Sequence, residues 1–216
     1  MHLKRQRAPS KWPVQRKGTT FIVSPSSNLK LGIPILVVLR DILKVAQNKK
    51  EVKRAFFLGN ILVNQKKISD FKYSLFLYDK ITIIPSKKYY RLGLSESGKF
   101  ALEDISEKDS YFKIAKIIDK KTLKGKKTQL NLSDGRNFIS DLKCNVNDSV
   151  KIDFAKKQVT ECLPLKEKAH VIVFAGKHSG KKGTIGKIDN EKKIVEVESG
   201  KGDKVNVLIK QLMVTL

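Results

Sequence analysis

A chain of 216 residues with 40 % apolar content has room for one to three domains with small cores. Its 45 Lys and Arg against 21 Asp and Glu leave a formal net charge of +24, which strains a free compact state and asks for a polyanionic partner. The longest apolar run, Ile33 to Leu39, stops at Arg40, short of a membrane span, and the N-terminal charges lack the apolar stretch of a secretory signal. Cys144 and Cys162 stand alone without CxxC spacing or a nearby His, so neither a zinc ribbon nor a disulfide framework is expected, and free thiols fit a reducing cytoplasm.

In chain order, the N-terminal segment comes first. The bases Lys4, Arg5, Arg7, Lys11, Arg16, Lys17, Lys30 and Arg40 all precede the first acid, Asp41. With Pro9, Pro13 and Pro25 and almost no apolar periodicity, residues 1–32 read as a basic arm that cannot fold alone and orders on binding a polyanion. The prolines argue against an amphipathic mitochondrial presequence. Trp12 has two readings, stacking on a base or docking on the globule.

Leu36, Leu39, Leu43 and Ala46 recur at helical spacing and predict a helix over 33–46, with Pro34 tolerated in its first turn. Asn48 is expected to cap a second helix with Glu51 as capping-box partner, and Gly59 to stop it. Val52, Ala55 and Phe56 form its apolar stripe. Lys50, Lys53 and Arg54 share another face at i, i+3 and i+4, relieved by no acid but Glu51; of the two readings, an ordinary solvated face or a phosphate-facing surface, the second is favoured. A strand at Ile61–Val63, a turn at Asn64–Lys67 and a strand at Asp79–Ile84 complete a compact unit over 33–86.

From Lys87 the period changes to two. Strands are expected at 89–94, 99–103, 112–118, 129–132, 149–154 and 158–162, separated by turn residues, so 87–164 reads as a central β domain with a linker at 164–168. The last stretch repeats that rhythm at 171–174, 183–188, 194–197 and 205–209, which predicts a small barrel over 165–216. Between its first two strands Gly176, Gly180 and Gly183 alternate with Lys177, His178, Lys181 and Lys182, an acid-free loop suited to a phosphate backbone. Only three residues separate Gly176 from Gly180, Lys182 replaces the hydroxyl residue, and a strand follows, so this is not a P-loop. The loop resembles the KOW motif of small SH3-like barrels, whose glycine corresponds to Gly183 or Gly180, with Gly183 favoured. His2, His170 and His178 stand in no catalytic arrangement, the acids are scattered, and neither a catalytic residue, a metal site nor a cofactor is expected.

These segments together resemble the archaeal and eukaryotic e-type small-subunit ribosomal protein four family. The resemblance rests on Met1-His-Leu-Lys-Arg5, Ala8-Pro-Ser-Lys-Trp12, Leu31 through Arg54, Val63-Asn-Gln-Lys66, Asp79, Val146 through Asp153, and the KOW stretch, in that order. It implies an α+β, multi-module fold: basic N-terminal arm (1–32), αL RNA-binding domain (33–86), central all-β domain (87–164) and C-terminal SH3-like KOW barrel (165–216). Gln65 stands where the family has glycine, which points to a different or bulged hairpin turn. The implied function is structural: a constituent of the small ribosomal subunit in translation, cytoplasmic and ribosome-bound. Its partners are small-subunit ribosomal RNA and neighbouring small-subunit proteins, with no membrane and no self-association. The expected RNA-binding residues are Lys4, Arg5, Arg7, Lys11, Trp12, Arg16 and Lys17; Lys50, Lys53, Arg54, Asn64, Lys66 and Lys67; and Lys177, His178, Lys181 and Lys182. Three rivals are weighed. An RNA-modifying enzyme that borrows an αL domain needs a long catalytic domain, and 87–164 is too short to supply it. A polymerase-binding KOW factor leaves the arm unexplained. A free RNA chaperone is the third.

Overall fold

A computed structural model describes residues 2–189, 191–199 and 203–215, without the side chain of Lys126. Met1 and parts of the expected barrel, at 190, 200–202 and 216, lie outside the described residues. The chain divides into two compact units, 1–94 with 99–111, and 95–98 with 112–216.

The N-terminal segment is part of the first unit. Leu3–Lys4 pairs with Phe21–Ile22, and Leu3, Trp12 and Ile22 are all buried. The Arg5 guanidinium donates to the carbonyls of Gln15 (2.9 Å) and Thr19 (2.7 Å) and to Thr19 Oγ1 (2.7 Å), holding the returning loop. The Phe100 amide donates to the Lys11 carbonyl at 2.8 Å. The missing periodicity misled here: three non-periodic apolar side chains and a guanidinium strut tie the arm down.

The expected helix over 33–46 is much shorter. Ile33–Pro34 pairs with Ser74–Leu75, one α-turn covers Ile35–Val37, and a π-turn covers Val38–Ile42. Every residue from Ile35 to Leu39 is at most 1 % exposed, so the run is apolar on all sides rather than along a stripe. Lys44 enters left-handed backbone (φ 54°) and ends it.

The second helix, α1 (Lys49–Phe57), forms as its local signals dictate. Asn48 Oδ1 accepts from the amides of Lys50 (2.9 Å) and Glu51 (3.1 Å). Glu51 reaches one residue further back than a capping box requires, accepting from the Gln47 amide (2.7 Å) and Asn48 Nδ2 (2.9 Å). Gly59 (φ 72°) donates to Phe56 and Asn60 to Ala55, a Schellman stop. Val52 and Phe56 face the core.

An antiparallel sheet follows, of β1 (Ile61–Val63), β2 (Lys66–Lys67), β3 (Lys80–Ile83), β4 (Lys88–Leu94) and β5 (Phe100–Asp104), in the order β2-β1-β3-β4-β5. The hairpin β4–β5 therefore extends the sheet of the helical segment instead of opening the central domain, which moves the expected boundary at 86. Hydrogen bonding decides this: β3 and β4 share one register from Lys80↔Arg91 to Ile83↔Lys88. The β1–β2 turn is not bulged. Leu62 pairs with Lys67 and Val63 with Lys66, and Asn64 (φ 50°) and Gln65 (φ 61°) make a two-residue type I′ turn. Gln65 accepts the left-handed backbone and donates to Ser110 Oγ at 3.0 Å.

The second unit holds two antiparallel sheets. In the first, β6 (Phe112–Thr122), β7 (Thr128–Leu132), β8 (Asn137–Ser140), β9 (Ser149–Asp153) and β10 (Gln158–Leu163) run in the order β8-β7-β6-β9-β10. Its core is Ala115, Ile117, Leu130, Leu132, Cys144, Val150 and Ile152. In the second, β11 (His170–Val173), β12 (Lys182–Asp189), β13 (Ile194–Ser199), β14 (Lys204–Leu208) and β15 (Leu212–Val214) run in the order β14-β13-β12-β11-β15. A 3₁₀ turn at Ile209–Gln211 leads from β14 to β15. A register shift between Ile185 and Ile188 bends β12. The two sheets are joined where Lys116 Nζ donates to the carbonyls of Ile209 and Leu212 and the Val214 amide donates to Ser149 Oγ.

Candidate nucleic-acid interface

The outer face of α1 carries exposed Lys49, Lys50, Lys53 and Arg54. The helix's one acid, Glu51, accepts from Gln47 and Asn48 at the N-terminus and, among the described residues, makes no ion pair with these cations, so one carboxylate stands against four cations on the helix. The fold adds Lys72: the ammoniums of Lys49, Lys53 and Lys72 lie 4.1, 5.5 and 5.9 Å from the centre of the Phe71 ring. The ring's negative face draws cations together, yet three gathered ammoniums repel one another. Among the described residues the side chains of Lys49, Lys50, Lys53, Arg54 and Lys72 make no ion pair with a carboxylate, although Asp70 Oδ1 accepts from the Lys72 amide at 2.8 Å. Phe71 and Lys72 escaped the sequence reading because their loop is far from the helix along the chain and carries no periodic signal, and Lys49 because only packing against Phe71 marks it out.

The hairpin continues this surface. Lys66 and Lys67 are exposed on β2, and Lys67 lies over the end of α1, where a Cβ on Gly59 would stand 3.5 Å from its Nζ. A helix C-terminus favours a cation there. Asn64 departs from the expected role. It is 5 % exposed, with Nδ2 donating to Asp79 Oδ1 (2.8 Å) and Oδ1 accepting from the Lys80 amide (2.9 Å). It fixes the turn and offers RNA no free polar edge.

In the N-terminal segment Lys4, Arg7, Arg16 and Lys17 are exposed. Arg5 serves as the strut described above. Lys11 is half-buried, and burial pulls its pKa down. Trp12 is 3 % exposed, and its indole N–H donates to the Gly32 carbonyl at 3.1 Å. That decides between its two readings: the ring docks on the globule and presents no face to a base. A cavity of about 210 Å³ beside it is lined by Arg5, Arg16 and Lys99 among others. Tyr89 and Tyr90 are both half-buried on β4.

In the second unit Lys177 is exposed and His178 and Lys181 are partly so in the loop from β11 to β12, and exposed Lys182 opens β12. Its glycines serve the chain's own packing. Gly176 (φ 86°) would place a Cβ 2.6 Å from Gln211 Oε1, and Gly180 (φ 94°) would drive one into the Ser95 carbonyl. Gly183, in β12 with ordinary backbone, would strike the Glu198 carbonyl of β13. The close approach that was expected to serve a ligand is made to neighbouring strands and loops. The acids of this sheet are partly met internally, since Lys204 sits 3.2 Å from Glu196 and 3.0 Å from Glu198.

Among the described residues no group of three or more His, Cys, Asp or Glu could hold a metal ion, and no helix is long and apolar enough to cross a membrane. The described surfaces offer cations and hydrogen-bond donors.

Comparison with known proteins agrees with this chemistry. The domain described as RS4NT (NUC023) matches residues 1–27, and the ribosomal family S4e matches residues 86–159. The small ribosomal subunit protein eS4 of Methanothermobacter thermautotrophicus is 35 % identical over 191 residues, covering 87 % of this chain and 79 % of that protein. The chain belongs to the ribosomal S4e family. The eS4 protein of Hyperthermus butylicus is 30 % identical and spans 99 % of this chain and 90 % of its own length. The crystal structure of the 30S ribosomal protein S4e from Thermoplasma acidophilum shares the fold with a TM-score of 0.73, at 23 % identity, over 86 % of this chain and 95 % of that one.

Proposed function

We propose that this chain is a structural constituent of the small ribosomal subunit, binding ribosomal RNA through its cations and holding RNA segments in place during translation. The action is binding, not catalysis: side chains neutralise phosphates and release counterions. The observation that carries the reading is the α1 face, where the side chains of Lys49, Lys50, Lys53, Arg54, Lys72 and Lys67 gather with no ion pair to a carboxylate among the described residues, in a chain of S4e family membership. Residues 33–86, extended by the β4–β5 hairpin, act as an αL-type RNA-binding module, the rest of 87–164 as a central β domain and 165–216 as a KOW-type SH3-like barrel. Lys4, Arg7, Arg16 and Lys17 in the arm and Lys177, His178, Lys181 and Lys182 in the barrel supply further phosphate contacts. The protein is cytoplasmic and ribosome-bound, beside neighbouring small-subunit proteins, without self-association. The test is gradient sedimentation of a cell lysate with the protein followed by mass spectrometry. Stoichiometric presence with small subunits after a high-salt wash is expected; recovery only in light fractions, or with polymerase, overturns the reading.

A further inference from the structure

Phe57 closes α1 with its side chain 91 % exposed, the most exposed large apolar residue among those described. Positions 50, 53, 54 and 57 stand at i, i+3, i+4 and i+7, so Lys50, Lys53, Arg54 and Phe57 form one outward stripe opposite Val52 and Phe56. The next residue, Leu58, is 59 % exposed, and Lys67 borders the same helix end over Gly59. Within its own unit the ring gains nothing from folding, and the end of a solvated face is where a polar residue is expected. A partner that fits must offer negative charge along about 10 Å of helix and a flat apolar face at its end. A ribonucleotide with its base out of the stack offers both: phosphate for the cations, a π-face for the ring. An apolar protein surface would leave the three cations unmet.

We propose that Phe57 stacks on an unpaired base of the RNA whose phosphates lie against Lys50, Lys53 and Arg54. The proposal rests on the RNA-binding reading above and gives it a single-stranded or bulged target at this helix. Full-length Phe57→Leu and Phe57→Trp test it with in-vitro-transcribed small-subunit rRNA. The chain has one tryptophan, Trp12, and it is buried, so emission from the exposed indole introduced by Phe57→Trp reports the new site. Expected are wild-type affinity for Phe57→Trp with quenching on binding, and about tenfold weaker binding for Phe57→Leu with an unchanged salt slope. Full affinity in Phe57→Leu, with the introduced indole of Phe57→Trp left unquenched by RNA, overturns the proposal. So does a Phe57→Leu protein that binds rRNA normally but fails to enter small subunits, which would assign the ring to a protein neighbour. Wild-type protein without salt-dependent rRNA binding would overturn the RNA reading itself, and this proposal with it.

Discussion

Two lysines of the second unit are spent inside the fold. Lys113, 1 % exposed, pairs with buried Asp134 at 2.7 Å. Burial pulls that carboxyl's pKa up, but the charges of Lys113 and Arg136 outweigh it and hold the pKa below its ordinary value. Lys116, 3 % exposed, donates to two carbonyls beside β15, and burial lowers its pKa to about 8 from 10.5. Between those values the unfolded chain holds more protons than the folded one, so stability rises with pH through the window and the cost of charging is fully felt below it. The gap in unfolding free energy between wild type and Lys116→Met should therefore change from pH 8 to 10.5 and stay level below about pH 7. Urea titrations across the range check this, and a constant gap refutes it. Cys162 is shifted the other way: burial, then the neighbouring Cys144 and the Asp148 carboxylate, push its thiol up to about 12. Its alkylation by iodoacetamide at pH 8 should be more than about tenfold slower in folded than in urea-unfolded protein, read by mass spectrometry. Equal rates would contradict the burial.

At the scale of the element, α1 carries separable stability and binding roles. Asn48→Ala removes the acceptor for two orphan amides and should cost about 1 kcal/mol in thermal unfolding. Replacing Lys50, Lys53 and Arg54 together by Ala leaves the core stripe untouched and removes like-charge crowding, so the melting temperature should hold or rise. RNA affinity should fall, and the log–log salt slope should flatten by about 3, near 0.9 per lost phosphate contact. A slope equal to wild type would mean that this face does not meet phosphate. The glycines of the second unit sort in the same way. Gly135 (φ 81°) has open space where a Cβ would stand, whereas Gly180 (φ 94°) meets the Ser95 carbonyl. Gly135→Ala should cost about 1 kcal/mol and Gly180→Ala clearly more, because the second adds a clash to the same backbone strain. Equal melting points for the two variants would remove the packing argument for the loop.

For the whole molecule the net charge of +24 dominates. Polyanion binding should relieve self-repulsion, so rRNA should raise the melting temperature and added salt should shrink that gain. With roughly 6–10 phosphate contacts, affinity should fall about 10³- to 10⁵-fold between 50 and 200 mM salt. Filter-binding titrations at several ionic strengths measure it, and an affinity indifferent to salt would contradict a phosphate interface.

What the sequence by itself determined was whatever depends on near neighbours or on sums over the chain. The cap and stop of α1 are legible because Asn48, Glu51 and Gly59 act within a turn or two, and most strands because alternation is local. The hairpin lysines and the excess of positive charge are legible for the same reason. Tertiary structure alone decided which polar and aromatic groups remain available to a partner. Trp12, Asn64 and Arg5 looked like contacts and became struts, because their bonding partners, Gly32, Asp79 and Thr19, lie 20, 15 and 14 residues away. Lys116 finds a carbonyl 96 residues on. Phe71 joined the cation face, and Phe57 was left bare at the end of it, only once the loop and the helix had packed. Burial and charge convergence are properties of the packed chain, and no local pattern encodes which distant group will arrive.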